Sequence, residues 1–352
     1  MKIYEITVKP ISGFGTPLKG DTIFGHFCWQ IFYDDKLIGK SLEELLSSYS
    51  NSNSPFIIFS SMFPKFSLDN GGKYTYALKT PNLPVDKLFN IEGDKKEKIS
   101  KRKEYKNKKW MLLKEGKKFK FFKDLELIND KELYEKAQKE LTEEYKMTMY
   151  KTVKSEFVSS INQYHNKINR NTGTTGGEGF APYAVEQEFF YPEVELALFI
   201  GIDETVVKID QVKEGLERIG SLGFGKDAST GLGRFALAEE GEINLADMGS
   251  DKPNACYTLS PCVPQKNIFS EMYFTPFTRF GKHGDVLAKS SNPFKNPIIM
   301  ADEGGIFKPE TENGNDKKIF DKPYIGTAVT SISKVEPKTI SQGYSLYIPL
   351  EV

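Results

Sequence analysis

Gly220-Ser221-Leu222-Gly223-Phe224-Gly225-Lys226-Asp227-Ala228-Ser229-Thr230-Gly231-Leu232-Gly233-Arg234-Phe235 is the stretch whose reading decides the fold. Glycine has no Cβ, so Gly223, Gly225, Gly231 and Gly233 allow positive φ and close approach of a second backbone. Lys226, Ser229, Thr230 and Arg234 add donors, and donors on such a backbone suit a phosphodiester chain. Two phosphate-binding patterns come close and fail. Gly220 to Lys226 opens like a P-loop, but Asp227 stands where a magnesium-binding hydroxyl belongs. Gly223-x-Gly225-x-x-Ala228 fits a relaxed dinucleotide fingerprint, which needs a strand before it and a helix after it. Here the order is reversed. Val212, Leu216 and Ile219 recur at helical spacing before the loop, and the alternating run Arg234 to Ala238 follows it. Helix, glycine loop and strand favour a loop that clamps a chain; a long solvated turn is the plain alternative.

Outward from the loop, the first domain assembles around the same pattern. Ile3 to Val8 alternates as a half-buried strand. The loop Pro10 to Gly20 leads into a helix that Asp21 or Thr22 can cap, with Ile23, Phe24, Phe27, Cys28, Ile31 and Phe32 on one core-facing side. Its first turn beside Lys19 and Gly20 is expected to offer backbone N–H groups to an anion. Ser41 to Tyr49 reads as a short helix and Pro55 to Phe59 as a buried strand. Lysines crowd residues 95–120, with Trp110 and Phe119 among them and Phe121 and Phe122 directly after. That mixture binds RNA in some settings, and more often forms a solvated insertion. Lys131 to Tyr145 reads as a surface helix, and His165 to Gly177 as a polar glycine-rich segment. Glu186 to Tyr191 and Val194 to Ile202 read as paired strands. With residues 41–179 set aside as insertions, the order is β-α-β-β-α-β, the ferredoxin-like arrangement. The expected fold class is α+β, with a first domain at 1–248, its insertion centred on 65–180, and a smaller, mostly β domain at 249–352.

The bulk numbers narrow the functions. Forty-eight basic residues balance 48 acidic ones, so no global field draws nucleic acid or an anionic membrane. Three cysteines form neither a disulfide framework nor a CxxC zinc site, which fits a reducing cytoplasm. No signal peptide or membrane span is expected, nor any metal or cofactor.

Three segments together resemble one family. Gly15-Thr16-Pro17-Leu18-Lys19-Gly20-Asp21-Thr22-Ile23-Phe24-Gly25-His26-Phe27-Cys28-Trp29 is similar to the N-terminal signature of the fourth Csm subunit of type III-A CRISPR effectors. His165 to Gly173, containing Asn169, Arg170 and Thr172, is similar to that family's middle polar motif. Gly220 to Phe235 resembles the glycine-rich loop of the wider RAMP superfamily. The resemblance implies two ferredoxin-like (RRM-like) domains, the second degenerate. It implies a non-catalytic RNA-binding subunit that holds the 5′ repeat-derived tag of the crRNA and contacts the large Cas polymerase-like subunit (the Cas ten family) and a backbone RAMP subunit. On it, the RNA-contacting set is Thr16, Lys19, Gly20, Thr22 and His26; His165, Asn169, Arg170 and Thr172; and Gly223, Gly225, Lys226, Ser229, Thr230, Gly231, Gly233 and Arg234.

The rival class is a metal-free endoribonuclease of the same superfamily. That chemistry needs an acid and a base beside a 2′-hydroxyl, and the chain has only His26, His165 and His283. Valine at Gly223 or Gly231 is expected to abolish RNA retention while leaving the first domain folded.

Overall fold

The computed structural model describes residues 1–51, 54–67, 74–88, 95–118, 125–149, 156–177, 179–310 and 319–352. The first half opens with β1 (Lys2–Pro10), α1 (Gly20–Tyr33), α2 (Leu42–Asn51) and β2 (Ile57–Ser67). An insertion then contributes β3 (Tyr74–Lys79), α3 (Val85–Leu88), α4 (Lys95–Lys106), β4 (Trp110–Lys114), β5 (Glu126–Ile128), α5 (Asp130–Glu140), α6 (Glu143–Met149) and the hairpin β6 (Val158–His165) with β7 (Tyr183–Phe190). The chain returns through β8 (Glu195–Ile202), α7 (Ile209–Leu222) and β9 (Phe235–Glu242).

Seven strands form one antiparallel sheet in the order β5-β4-β3-β2-β8-β1-β9. Within it β1, α1, β2, β8, α7 and β9 make the ferredoxin-like unit, so the fold class is as read. One strand assignment changes. The second strand of the unit is β2, not Glu186–Tyr191. β2 pairs with β8 from Ile57↔Ile202 to Lys65↔Glu195. Glu186–Tyr191 falls mostly in β7, which pairs with β6 in a separate hairpin and joins the core loop at the bridge Phe14↔Glu188. Both stretches are strand-like locally, and only long-range pairing separates them.

β1 is buried on both faces, not one. Polar residues occupy the second face in a paired network. Lys65 Nζ lies 2.7 Å from Glu5 Oε1 and donates to Thr7 Oγ1 at 2.7 Å, and the Tyr76 hydroxyl donates to Glu5. Alternating Glu and Thr signal exposure in a sequence; a lysine and a tyrosine on neighbouring strands reverse it. On α1, Ile23, Phe24, Phe27 and Ile31 are core, but Phe32 is 62% exposed and packs on Trp29 and Tyr33. On α7, Val212, Leu216 and Ile219 are buried as their spacing requires. The acidic surface helix is two helices, α5 and α6, and the former starts with an Asn129–Glu132 capping box.

The C-terminal strands are β10 (Ala255–Thr258), β11 (Phe269–Tyr273), β12 (Pro276–Arg279), β13 (Ile298–Ala301), β14 (Ile306–Pro309), β15 (Tyr324–Gly326) and β16 (Tyr344–Leu350). They form a sheet β11-β14-β10-β16-β15 and a hairpin β12-β13. The order β11-β14-β10-β16 repeats β2-β8-β1-β9. An irregular loop joins β10 to β11 where the first unit has α1, which is the sense in which this half is degenerate. One continuous core runs through both sheets, from Ile57 and Phe59 to Tyr257, Leu346 and Ile348. Among the described residues no helix is long and apolar enough to cross a membrane.

The seam between the sheets lies at the start of α1. The Asp21 carboxylate accepts two bonds from Arg279, at 2.6 and 2.8 Å. Lys19 donates to Asp302 and, at 2.6 Å, to Glu303. A Cβ on Gly20 would sit 2.2 Å from the Phe59 carbonyl oxygen, so only glycine fits. Phe59 is held in turn by both ends of the buried Gln342 amide.

The Asp21 side chain is 2% exposed, so removing its partner leaves an unpaired charge. Arg279→Ala is expected to destabilise the fold by about 3–5 kcal/mol. Adding Asp21→Asn should restore part of that loss in thermal melts. Melting equal to the parent in the single variant would show that the pair does not hold the seam.

Candidate nucleic-acid interface

α7 ends because Gly223 turns the chain to φ 107°, with its N–H still bonded to the Ile219 carbonyl. The loop then folds back on itself: Phe224 N–H donates to the Gly233 carbonyl at 2.9 Å, and Phe224 is buried. The N-terminal loop grips it from the other side. Gly233 N–H donates to the Gly13 carbonyl at 2.8 Å, Arg234 N–H to Ser12 Oγ at 2.9 Å, and Lys226 N–H to Thr16 Oγ1 at 2.8 Å. From α1, His26 Nε2 accepts the Gly225 N–H at 3.1 Å while its ring packs on Phe224. Thr16, His26 and the glycine loop are therefore one unit, although about 200 residues separate them in the chain.

That packing assigns different work to the glycines. Added Cβ atoms would lie 2.5 Å from the Leu232 carbonyl oxygen at Gly223, 2.4 Å from Thr16 at Gly225, and 2.1 Å from the Phe224 carbonyl oxygen at Gly233. These three make room for the protein's own chain. Only Gly231 of the four faces open space, with nothing within 4 Å. The expectation that valine at Gly223 leaves the domain folded is corrected accordingly.

Lys226, Ser229, Thr230 and Arg234 are all exposed on this rim. Lys226 is only loosely met by Asp227, at 3.9 Å, and the Thr230 hydroxyl donates to the Asp227 carbonyl. The result is a rigid loop with two cations and a serine hydroxyl turned to solvent.

Other residues stand elsewhere. Lys19 and Gly20 belong to the seam: the Lys19 ammonium is held by Asp302 and Glu303, and the first turn of α1 is covered by the C-terminal half. The anion site expected there is corrected for that reason. Neither Asp21 nor Thr22 caps the helix; Lys19 is its N-cap, without a side-chain bond. Thr22 is half-buried in the same turn. His165, Asn169, Arg170 and Thr172 lie at the tip of the β6–β7 hairpin. His165 stacks on Tyr183 at 5.3 Å, Asn169 turns the tip by accepting from Asn171 N–H, and Arg170 and Thr172 are exposed. The hairpin base touches the glycine-loop unit at Phe14, but five strand residues carry the tip about 17 Å from it. The two polar glycine-rich segments are thus not brought together.

The lysine-rich stretch divides. α4 is a solvated helix tied to α3 by the bidentate pair Arg102–Asp86. Residues 110–114 are sheet: Met111, Leu112 and Leu113 are core, and Trp110 carries the Lys79 ammonium on its ring. Trp110 is not a free stacking platform. Phe119, Lys120, Phe121 and Phe122 lie outside the described residues. Ser12 and Gly13, which clamp the loop, were not singled out in the sequence; their signal is the Ser-Gly-Phe-Gly run beside Thr16.

No protein-family model matches this chain, and no curated protein matches it. Its fold is shared along the whole length with solved structures. A chain in the crystal structure of the Csm3-Csm4 subcomplex in the type III-A CRISPR-Cas interference complex aligns over 100% of both chains with a TM-score of 0.53 and 16% identity. Chains in crystal structures of the Csm1-Csm4 cassette with cA4 and with cA3 each align with a TM-score of 0.51 and 15% identity, covering 99% and 100% of this chain and 98% and 99% of theirs.

Two outcomes follow from this geometry. Burial first, and Lys295 second, depress His26 from 6.5 to about 4, so the imidazole is neutral when it accepts from Gly225. The unfolded chain takes up that proton below pH 6.5 and the folded chain does not until about pH 4. Stability should be level above pH 6.5 and fall as pH drops through that window. His26→Gln keeps an acceptor without the titration and should flatten the fall, leaving the smaller share due to His283. Identical pH profiles for the two proteins would refute the clamp. Separately, Gly223→Val should lower the melting temperature sharply. Gly231→Ala should cost only its positive φ, about 1–2 kcal/mol. Equal melting losses at the two positions would contradict the packing described.

Proposed function

We propose that this chain is a non-catalytic RNA-binding subunit of a type III-A CRISPR effector. In this reading the rim of the glycine loop holds the 5′ repeat-derived tag of the crRNA. The observation that carries it is the clamped loop: Thr16, His26 and Ser12 fix a glycine backbone whose Lys226, Ser229 and Arg234 side chains point to solvent. A backbone held in advance, with cations on its outer edge, suits phosphates of a single strand, whose contacts position the chain without reading its sequence. The shared fold with chains of Csm1-Csm4 and Csm3-Csm4 structures supports the same setting. In this reading the partners are the large polymerase-like subunit and a backbone RAMP subunit, and the setting is the cytoplasm.

The non-catalytic part rests on the histidines. His26 Nε2 is taken by Gly225, His283 is buried with Nε2 2.7 Å from Ser333 Oγ, and His165 lies on Tyr183 at the hairpin tip. None is placed to serve as an acid or base on the loop rim.

The protein purified from its native cell should carry short RNAs that share a common 5′ repeat sequence, and should leave repeat RNA intact with or without Mg²⁺. Random RNA in the preparation would sink the tag assignment, and specific cleavage would promote the endoribonuclease.

A further inference from the structure

A second site lies across the seam. A cleft of about 700 Å³ separates α3 and the C-terminal end of α4 from β11, lined among others by Lys79, Asn82, Lys106, Phe274, Asp302 and Glu303. Its walls are fixed. The Tyr257 hydroxyl donates to the Lys79 carbonyl at 2.6 Å, Asn82 N–H to the Gly304 carbonyl at 2.9 Å, and Thr275 Oγ1 to Asn82 Oδ1 at 2.9 Å. Of the lysines on its rim, Lys108 and Lys109 are neutralised by Glu132 and Asp130. Lys79 and Lys106 have no carboxylate within ion-pair distance among the described residues. Burial holds the Lys79 ammonium below the usual lysine range, the mark of a cation left short of counter-charge. Phe274 stacks on Phe307 yet stays 37% exposed. Lys79, whose ammonium rests on the Trp110 ring without a carboxylate, and the exposed Lys106, beside an exposed ring in a pre-formed cleft, match the phosphate and base of a nucleotide.

We propose that this cleft is a second RNA site, taking one unstacked nucleotide with its base against Phe274 and its phosphate on Lys79 and Lys106. Asp302 and Glu303 hold Lys19 and are hydrogen-bonded to each other, and the more exposed Asp302 is the proposed acceptor for an exocyclic amine. Adenine, cytosine and guanine carry one; uracil does not. The cleft is within reach of the glycine loop. Asp302 and Glu303, which line the cleft, hold Lys19, and Lys19 is three residues from Thr16, which bonds Lys226, so at most about 11 Å of backbone separates Lys19 from Thr16. The inference rests on the reading that this chain binds RNA, and extends it to a site on the opposite side of the seam.

Full-length protein is irradiated with fluorescein-labelled oligoadenylate, and cross-linked peptides are mapped by mass spectrometry. Cross-links at both the 223–234 loop and the 272–275 or 79–85 segments support both sites. Loop cross-links alone overturn the cleft and leave the function standing. Cleft cross-links alone support the cleft and overturn the loop assignment. No cross-link at either overturns both. In the same assay Phe274→Ser should weaken oligoadenylate binding about fivefold or more. Lys106→Glu, at an exposed helix end, should weaken it without touching the fold. Oligouridylate should bind less tightly than oligoadenylate. Unchanged affinity in both variants would overturn the cleft.

Discussion

The organisation of this protein depends on two short hydrogen-bonded contacts, Thr16 Oγ1 to Lys226 N–H and His26 Nε2 to Gly225 N–H. A glycine-rich loop has large conformational entropy, and a loop that is free pays that entropy each time it binds. Here the cost is met on folding. Three of the four glycines are used to let the chain press against itself and against Thr16, which leaves a preset backbone with its cations outward. On the proposed reading, pre-organisation of this kind would let a chain of zero net charge hold a polyanion through a small patch.

The same fifteen-odd residues that clamp the loop also join the two sheets. Thr16 and His26 face α7 and its loop, whereas Lys19, Gly20 and Asp21 face Asp302, Glu303, Arg279 and Phe59. The loop rim and the cleft are linked through that leading turn, because Lys19 is held by Asp302 and Glu303, which line the cleft. A buried, hydrogen-bonded charge pair contributes modest net stability, yet it strongly penalises any other placement of the C-terminal half. That is how a helix-poor sheet is oriented on its neighbour.

Much of the fold is legible in the letters, and the exceptions share a cause. Val212, Leu216 and Ile219 predict α7 because helical periodicity is local. The order of strands in the first unit is not local, so β2 and β7 exchange roles between sequence and structure. Glu5 and Thr7 read as solvent-facing because Lys65 and Tyr76, which bury them, come from strands dozens of residues away. The site divides in the same manner. The donors Lys226, Ser229 and Arg234 are visible as residue types, and they do stand on the surface. Lys19 is visible as a cation, but its carboxylate partners lie some 280 residues downstream, beyond any spacing argument.

The central claim, that the loop rim meets the phosphates of an RNA strand, is tested most directly by salt. The affinity of the full chain for its copurified RNA should be measured across a range of monovalent salt, for the parent and for Lys226→Ala with Arg234→Ala. Each lost phosphate contact lowers the slope of log K against log salt by about 0.7 for a single strand. The account predicts a double variant that melts like the parent and whose slope is shallower by about 1.4. Equal slopes in two equally stable proteins would contradict it.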